Sequence, residues 1–156
     1  MQDPKTALAL LPLKRLPKFL YPNRDRLLTP PVFNFGYLYT WDWVFEFARN
    51  HGLGELDDYD YDEAIFEAVM EYITREAGIT SFKLRACYLY DAPGLPDLPL
   101  LASMKSNYRR ADQQDVKLDW DDVSKLQKYL GRTDLPMWYL DMHYPGWGNR
   151  SWDSCV

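Results

Sequence analysis

Residues 81–91 read Ser81-Phe82-Lys83-Leu84-Arg85-Ala86-Cys87-Tyr88-Leu89-Tyr90-Asp91. Phe82, Leu84, Ala86, Tyr88 and Tyr90 recur at every second position, with Lys83, Arg85 and Cys87 between them. A period of two is that of a strand with one buried face, so this stretch predicts a strand. Residues 137–144 repeat the pattern: Trp138, Leu140, Met142 and Tyr144 face one way, Tyr139, Asp141 and His143 the other. Between the two, Asp119 caps a predicted helix over 120–130, with Val123, Leu126, Tyr129 and Leu130 inward and Gly131 as its stop. Strand, helix and strand in that order suit a right-handed crossover. The expected fold is therefore α+β, a small mixed sheet with about three helices packed on it.

The other two helices lie upstream. One spans about 42–51, capped by Thr40 or Asp42, with Trp43, Val44, Phe47 and Ala48 as its stripe and Gly52 as its end. The other spans about 61–77, with Ile65, Ala68, Val69, Tyr72 and Ile73 buried and Gly78 terminal. Asp60 and Glu63 have the spacing of a capping box. The stretch 92–118 is too long for a plain loop, and Leu98–Met104 predicts a further strand or short helix within it.

Residues 1–35 read as an extended arm, because Pro4, Pro12, Pro17, Pro22, Pro30 and Pro31 interrupt any helix. The arm also carries Leu8, Leu10, Leu11, Leu13, Leu16, Phe19 and Leu20, which favours packing on the domain or on another chain. Residues 36–156 are expected to form one α+β domain with an aromatic C-terminal tail.

Charge is uneven. Residues 1–30 hold six basic and two acidic side chains, a net of +4, whereas 55–76 hold nine acidic side chains against Arg75, a net of −8. The basic arm is thus expected to lie over the acidic helix, or else each marks a partner of opposite charge. The overall charge of −5 argues against broad binding to nucleic acid. No apolar run approaches the roughly 18 residues of a membrane span. Asp3 and Pro12 spoil a secretory signal. Two cysteines make no disulfide framework, which favours a cytoplasmic setting.

Asp58, Asp60 and Asp62 resemble a calcium loop, but counting from Asp58 the sixth position is Glu63 and the twelfth Val69, where Gly and Glu are needed. No metal site is expected. The eight glycines form no phosphate-cradling pattern, so no cofactor is expected either.

Two functional readings remain. Aromatic residues make up 16% of the chain, more than a core of this size needs, and Tyr and Trp are favoured at contact surfaces. Trp147 and Trp152 in the glycine-rich tail are candidate anchors. Glu63, Glu67 and Glu71 repeat at i,i+4, where like charges cost helix stability, so they are a candidate docking stripe for basic groups. The favoured reading is thus a non-catalytic binding protein with a protein partner or self-association, leaving room for a small-molecule ligand. The alternative is a small cofactor-free hydrolase, lyase or isomerase. In it Asp141 orients His143 as general base, Tyr139 shares the face, and Arg85 stabilises an anion.

Overall fold

The computed structural model describes residues 12–22, 29–53, 62–90, 95, 99–108, 118–143 and 148. Four strands, β1 (Phe33–Tyr39), β2 (Arg85–Tyr88), β3 (Leu100–Ser106) and β4 (Met137–Leu140), form one sheet in the order β2-β3-β1-β4. Three helices, α1 (Trp41–Asn50), α2 (Asp62–Glu76) and α3 (Trp120–Leu130), accompany it. The α+β class holds. Every strand pair is antiparallel, however, so the sheet is not mixed and the expected crossover unit is absent. The two segments that suggested it, β2 and β4, lie at opposite ends of the strand order, separated by β3 and β1.

β1 is central, and the sequence reading gave it to no strand. Its first residues fall in the stretch assigned to the arm. Phe33, Phe35, Tyr37 and Tyr39 alternate onto the helical side and are all buried. Gly36 is required there: a Cβ at this position would lie 2.0 Å from the Ala102 carbonyl oxygen on β3. The register shifts beside it, between Phe35 and Gly36, so that Phe35 pairs with Lys105 and Gly36 with Ser103.

The helices bury their stripes on this same side. Val44 and Ala48 come from α1, Ile65, Phe66, Val69, Met70 and Ile73 from α2, and Val123 and Leu126 from α3. Thr40 rather than Asp42 caps α1, accepting from the Trp43 N–H at 3.3 Å. Asp119 caps α3, and Gly131 closes it at φ 65°. Asp122, in the first turn of α3, ties that helix to the connection after α2. Its Oδ2 accepts from Thr80 N, Ser81 N and Ser81 Oγ at 3.1, 2.8 and 2.6 Å. The opposite sheet face is a smaller apolar cluster of Leu89, Leu101 and Tyr139, flanked by Leu38, Cys87 and Met137.

The sheet coils until its outer strands meet at one end. Leu89 bridges Asp141; Tyr90 N–H donates to Leu140 O and Met142 N–H to Tyr88 O, both at 3.0 Å. Both predicted strands are shorter than expected: the first is regular only over Arg85–Tyr88, and the second ends at Leu140 before a bend at Met142. Met142, expected under the helices, is exposed.

Residues 12–22 pack on the sheet and on the main core, to which the acidic helix also contributes. Leu13 exchanges two backbone hydrogen bonds with Trp138 on β4, at 3.0 and 2.8 Å. Leu16 and Leu20 enter the main core, where burial contributes about 1.5–3 kcal/mol per side chain. Asn107 fastens this segment: its Nδ2 donates to Leu20 O and Pro31 O at 2.7 and 2.9 Å, and its Oδ1 accepts from Phe33 N at 2.8 Å. Tyr108 adds a bond from its hydroxyl to Pro30 O. Among the described residues no helix is long and apolar enough to cross a membrane.

Candidate functional site

The proposed general-base cluster is interrupted by its own strand end: Asn34, the cross-strand partner of Tyr139, also bonds Asp141, whereas His143 lies past the strand. Tyr139 turns into the apolar cluster on the far side of the sheet from the helices, where burial pushes its phenol above the ordinary value. Asp141 is buried at the corner where the two outer strands meet. Its Oδ2 accepts from Asn34 Nδ2, and its Oδ1 from the backbone N–H of His143, each at 2.8 Å. His143 lies beyond the strand, exposed, with its ring edge-on to Tyr88 at 6.4 Å. The contact between Asp141 and His143 thus runs through the backbone amide. Asp141 serves as a corner clamp. Arg85 stands on β2 opposite Ser103, with β3 and β1 between it and the strand of Tyr139 in the sheet order.

The aromatic surplus gathers on α1 and its surroundings. Trp43, Phe47 and His51 follow at i, i+4 and i+8, which stacks them along one helix face. Tyr39 and Trp43 have ring centroids 4.3 Å apart, Trp43 and Phe47 5.1 Å, Phe47 and His51 4.0 Å, and His51 and Tyr72 of α2 5.0 Å. A guanidinium closes each end of this ladder. Arg75 lies 5.2 Å from the Tyr72 ring and Arg132 5.3 Å from the Tyr39 ring. Trp43, Phe47 and Tyr72 are half-buried, so each leaves part of its ring to solvent.

A groove of about 300 Å³ opens at the Tyr39 end, lined by Leu38, Tyr39, Thr40, Trp43, Leu130 and Arg132. Its one cation is already committed. Arg132 Nε and Nη2 grip the Asp134 carboxylate at 2.9 and 2.8 Å, and Nη1 donates to Leu38 O at 3.0 Å. The carboxylate holds the guanidinium proton more firmly still, and Arg132 in turn keeps the Asp134 carboxyl below its ordinary range. Burial pushes the Tyr39 phenol up to about 12 against the opposing pull of the neighbouring Arg132 guanidinium, and its buried hydroxyl makes no hydrogen bond of ordinary length. The groove is therefore apolar in character, with a neutralised rim.

A second aromatic group lies on the flank of α1. Trp41 stacks on Phe45 at 5.4 Å and approaches Tyr88 at 6.2 Å. Burial and then the charges of Glu63, Asp62 and Glu67 raise the Tyr88 phenol, so this patch sits in a negative field. Glu63, Glu67 and Glu71 are all exposed on α2. Glu67 has an internal duty as well. Partial burial raises its carboxyl, opposed by the Arg85 charge and the Ala86 backbone N–H. It thereby covers part of the open edge of β2.

Trp147 and Trp152 lie outside the described residues. The ladder was the feature missed. Its signal was present as Trp41, Trp43, Phe45 and Phe47, four rings in seven residues, two pairs of them at i,i+4. Among the described residues no group of three or more His, Cys, Asp or Glu side chains is placed to hold a metal ion. No family model, curated protein or solved structure matches this chain.

Proposed function

We propose that the chain is a non-catalytic binding protein that captures a basic protein segment bearing an apolar anchor. The observation that carries this reading is the half-exposed aromatic ladder Tyr39–Trp43–Phe47–His51–Tyr72, with an apolar groove at its start. Rings of this kind supply contact area at small entropic cost and take cations on their faces, as Arg75 and Arg132 already do. The acidic side chains around Tyr88 supply the complementary charge, which speeds encounter and selects basic partners. The alternative of general-base catalysis loses support because the Asp141 carboxylate is taken up by Asn34 and by a backbone amide.

The test is a display library of peptides selected on the immobilised full chain. Peptides rich in Lys or Arg with one aromatic or large aliphatic residue should be enriched. Trp43→Ala and Leu130→Lys should each weaken the selected peptides by more than about tenfold, as central anchors do. Glu63→Lys should lower the association rate, and His143→Ala should change neither. Selection of acidic peptides, or binding indifferent to Trp43→Ala and Leu130→Lys in folded protein, would refute the proposal.

A further inference from the structure

On the β2 side of the sheet a second, smaller cavity of about 30 Å³ has a different character, lined by Asn34, Lys83, Arg85, Ser103, Lys105 and Ser106 among others. By the usual requirement of about 10–15 Å³ per water, it admits two or three oxygen-sized groups. The ion pairs among the described residues use Arg75, Lys125 and Arg132; the three cations lining this cavity join none of them. Among the described residues no carboxylate lines it. In a chain with a net charge of −5, three cations line this one polar cavity, although Arg85 also faces Glu67 of α2 and Lys105 also faces the Phe35 and Trp138 rings.

We infer that this cavity binds one compact oxyanion, a carboxylate or phosphoryl group, held by the charges of Lys83 and Arg85 and by the Asn34 amide, with the Ser103 and Ser106 hydroxyls turning to it from Lys105 O and Asn107 Oδ1, to which they donate at 3.1 and 3.5 Å. Arg85 and Ser103 are cross-strand partners on β2 and β3, and Asn34 pairs with Ser106 across β1 and β3. The register shift between these two pairs is what brings Ser103 and Ser106 to one cavity despite their odd spacing. Guanidinium and ammonium donors with hydroxyl support are the usual chemistry for such anions. Lys105 lines the rim, its ammonium 5.3 Å from the Trp138 ring, and burial lowers its proton affinity. Two nearby groups limit the site. Asp141 stands behind Asn34, accepting from its amide, and its negative charge together with that of Glu67 reaches Cys87 in the lining. Cys87 also lines the cavity, and burial pushes its thiol up to about 12, so it stays neutral and adds no negative charge.

The site lies apart from the aromatic ladder and does not depend on it. The test is titration of the full chain with sodium phosphate and, separately, sodium acetate at constant ionic strength, followed in ¹H–¹⁵N spectra. The amides of Arg85, Ser103 and Ser106 should shift and saturate. Arg85→Gln should weaken the response about tenfold, the loss of one charge-assisted contact. Lys83→Gln, at an exposed position that leaves the fold intact, should weaken it severalfold. Saturation by phosphate alone identifies a phosphoryl ligand, and by acetate alone a carboxylate. Shifts that chloride reproduces, that never saturate, or that persist unchanged in folded Lys83→Gln and Arg85→Gln would overturn the inference.

Discussion

Replacing Asp122 with Ala removes the acceptor that joins α3 to the connection between α2 and β2. Three donors lose their partner: Thr80 N–H, Ser81 N–H and the Ser81 hydroxyl. Bonds to a charged acceptor contribute about 1.5–3 kcal/mol each when buried; water reaches exposed Thr80 and half-buried Ser81, so about 1 kcal/mol each is the better figure. The Lys125 pair adds little, since its ammonium is half exposed. The expected loss is about 3 kcal/mol, read as a lower urea midpoint with unchanged slope. Asp122→Asn keeps one carbonyl oxygen and should lose about half of that. The pH dependence has a definite sign. Lys125, Ser81 and Thr80 hold the Asp122 carboxyl well below the ordinary carboxylate range in the folded chain. The stabilisation is thus complete above the unfolded value of about 3.9 and is lost as pH falls below it. The gap between wild type and Asp122→Asn should be constant from about pH 7 to 5 and shrink below about pH 4. A loss under about 1 kcal/mol for Asp122→Ala, or a gap that widens in acid, would refute the reasoning.

Gly36→Ala should prevent folding or cost more than about 3 kcal/mol, since the new Cβ meets the Ala102 carbonyl oxygen of a central strand; a well-dispersed spectrum with wild-type stability would contradict this. Tyr39→Phe should change urea stability by less than about 1 kcal/mol, because the deleted hydroxyl is buried and makes no hydrogen bond of ordinary length, with only a longer contact to Arg132 to lose. In a Cys155→Ser background, Cys87 should resist iodoacetamide at pH 8 until urea unfolds the chain, because burial keeps the thiol protonated. Rapid alkylation of the native protein would show the thiol to be accessible and ionised.

The helices were legible because each carries both a period and a terminator. Asp119 and Gly131 bracket α3 in sequence and in structure. The strands were legible where alternation was clean, as at Arg85–Tyr88 and Met137–Leu140. β1 escaped because the prolines up to Pro31 carry the arm reading through residue 35, although the chain there is answered by long-range contacts. Gly36 admits the β3 backbone, and the Pro30 and Pro31 carbonyls are taken up by Tyr108 and Asn107. Strand order was not legible either, since local periodicity says nothing about which edges meet. The same gap applies to His143. Two-residue spacing places side chains on one face only while a strand continues, and this strand ends at Leu140.

The position of β1 has a consequence for how the chain is made. Val32 to Tyr39 is an uncharged, aromatic, strand-prone stretch, and both of its partners lie far downstream, at Leu100–Ser106 and Met137–Leu140. A ribosome adding about 5–20 residues per second leaves that stretch without its β4 partner for about 5–20 s after it is made. Until then it has the composition that pairs readily with copies of itself. Vectorial synthesis therefore exposes the future centre of the sheet longest, and yield on expression should fall with temperature and with nascent-chain density before any loss of native stability is seen.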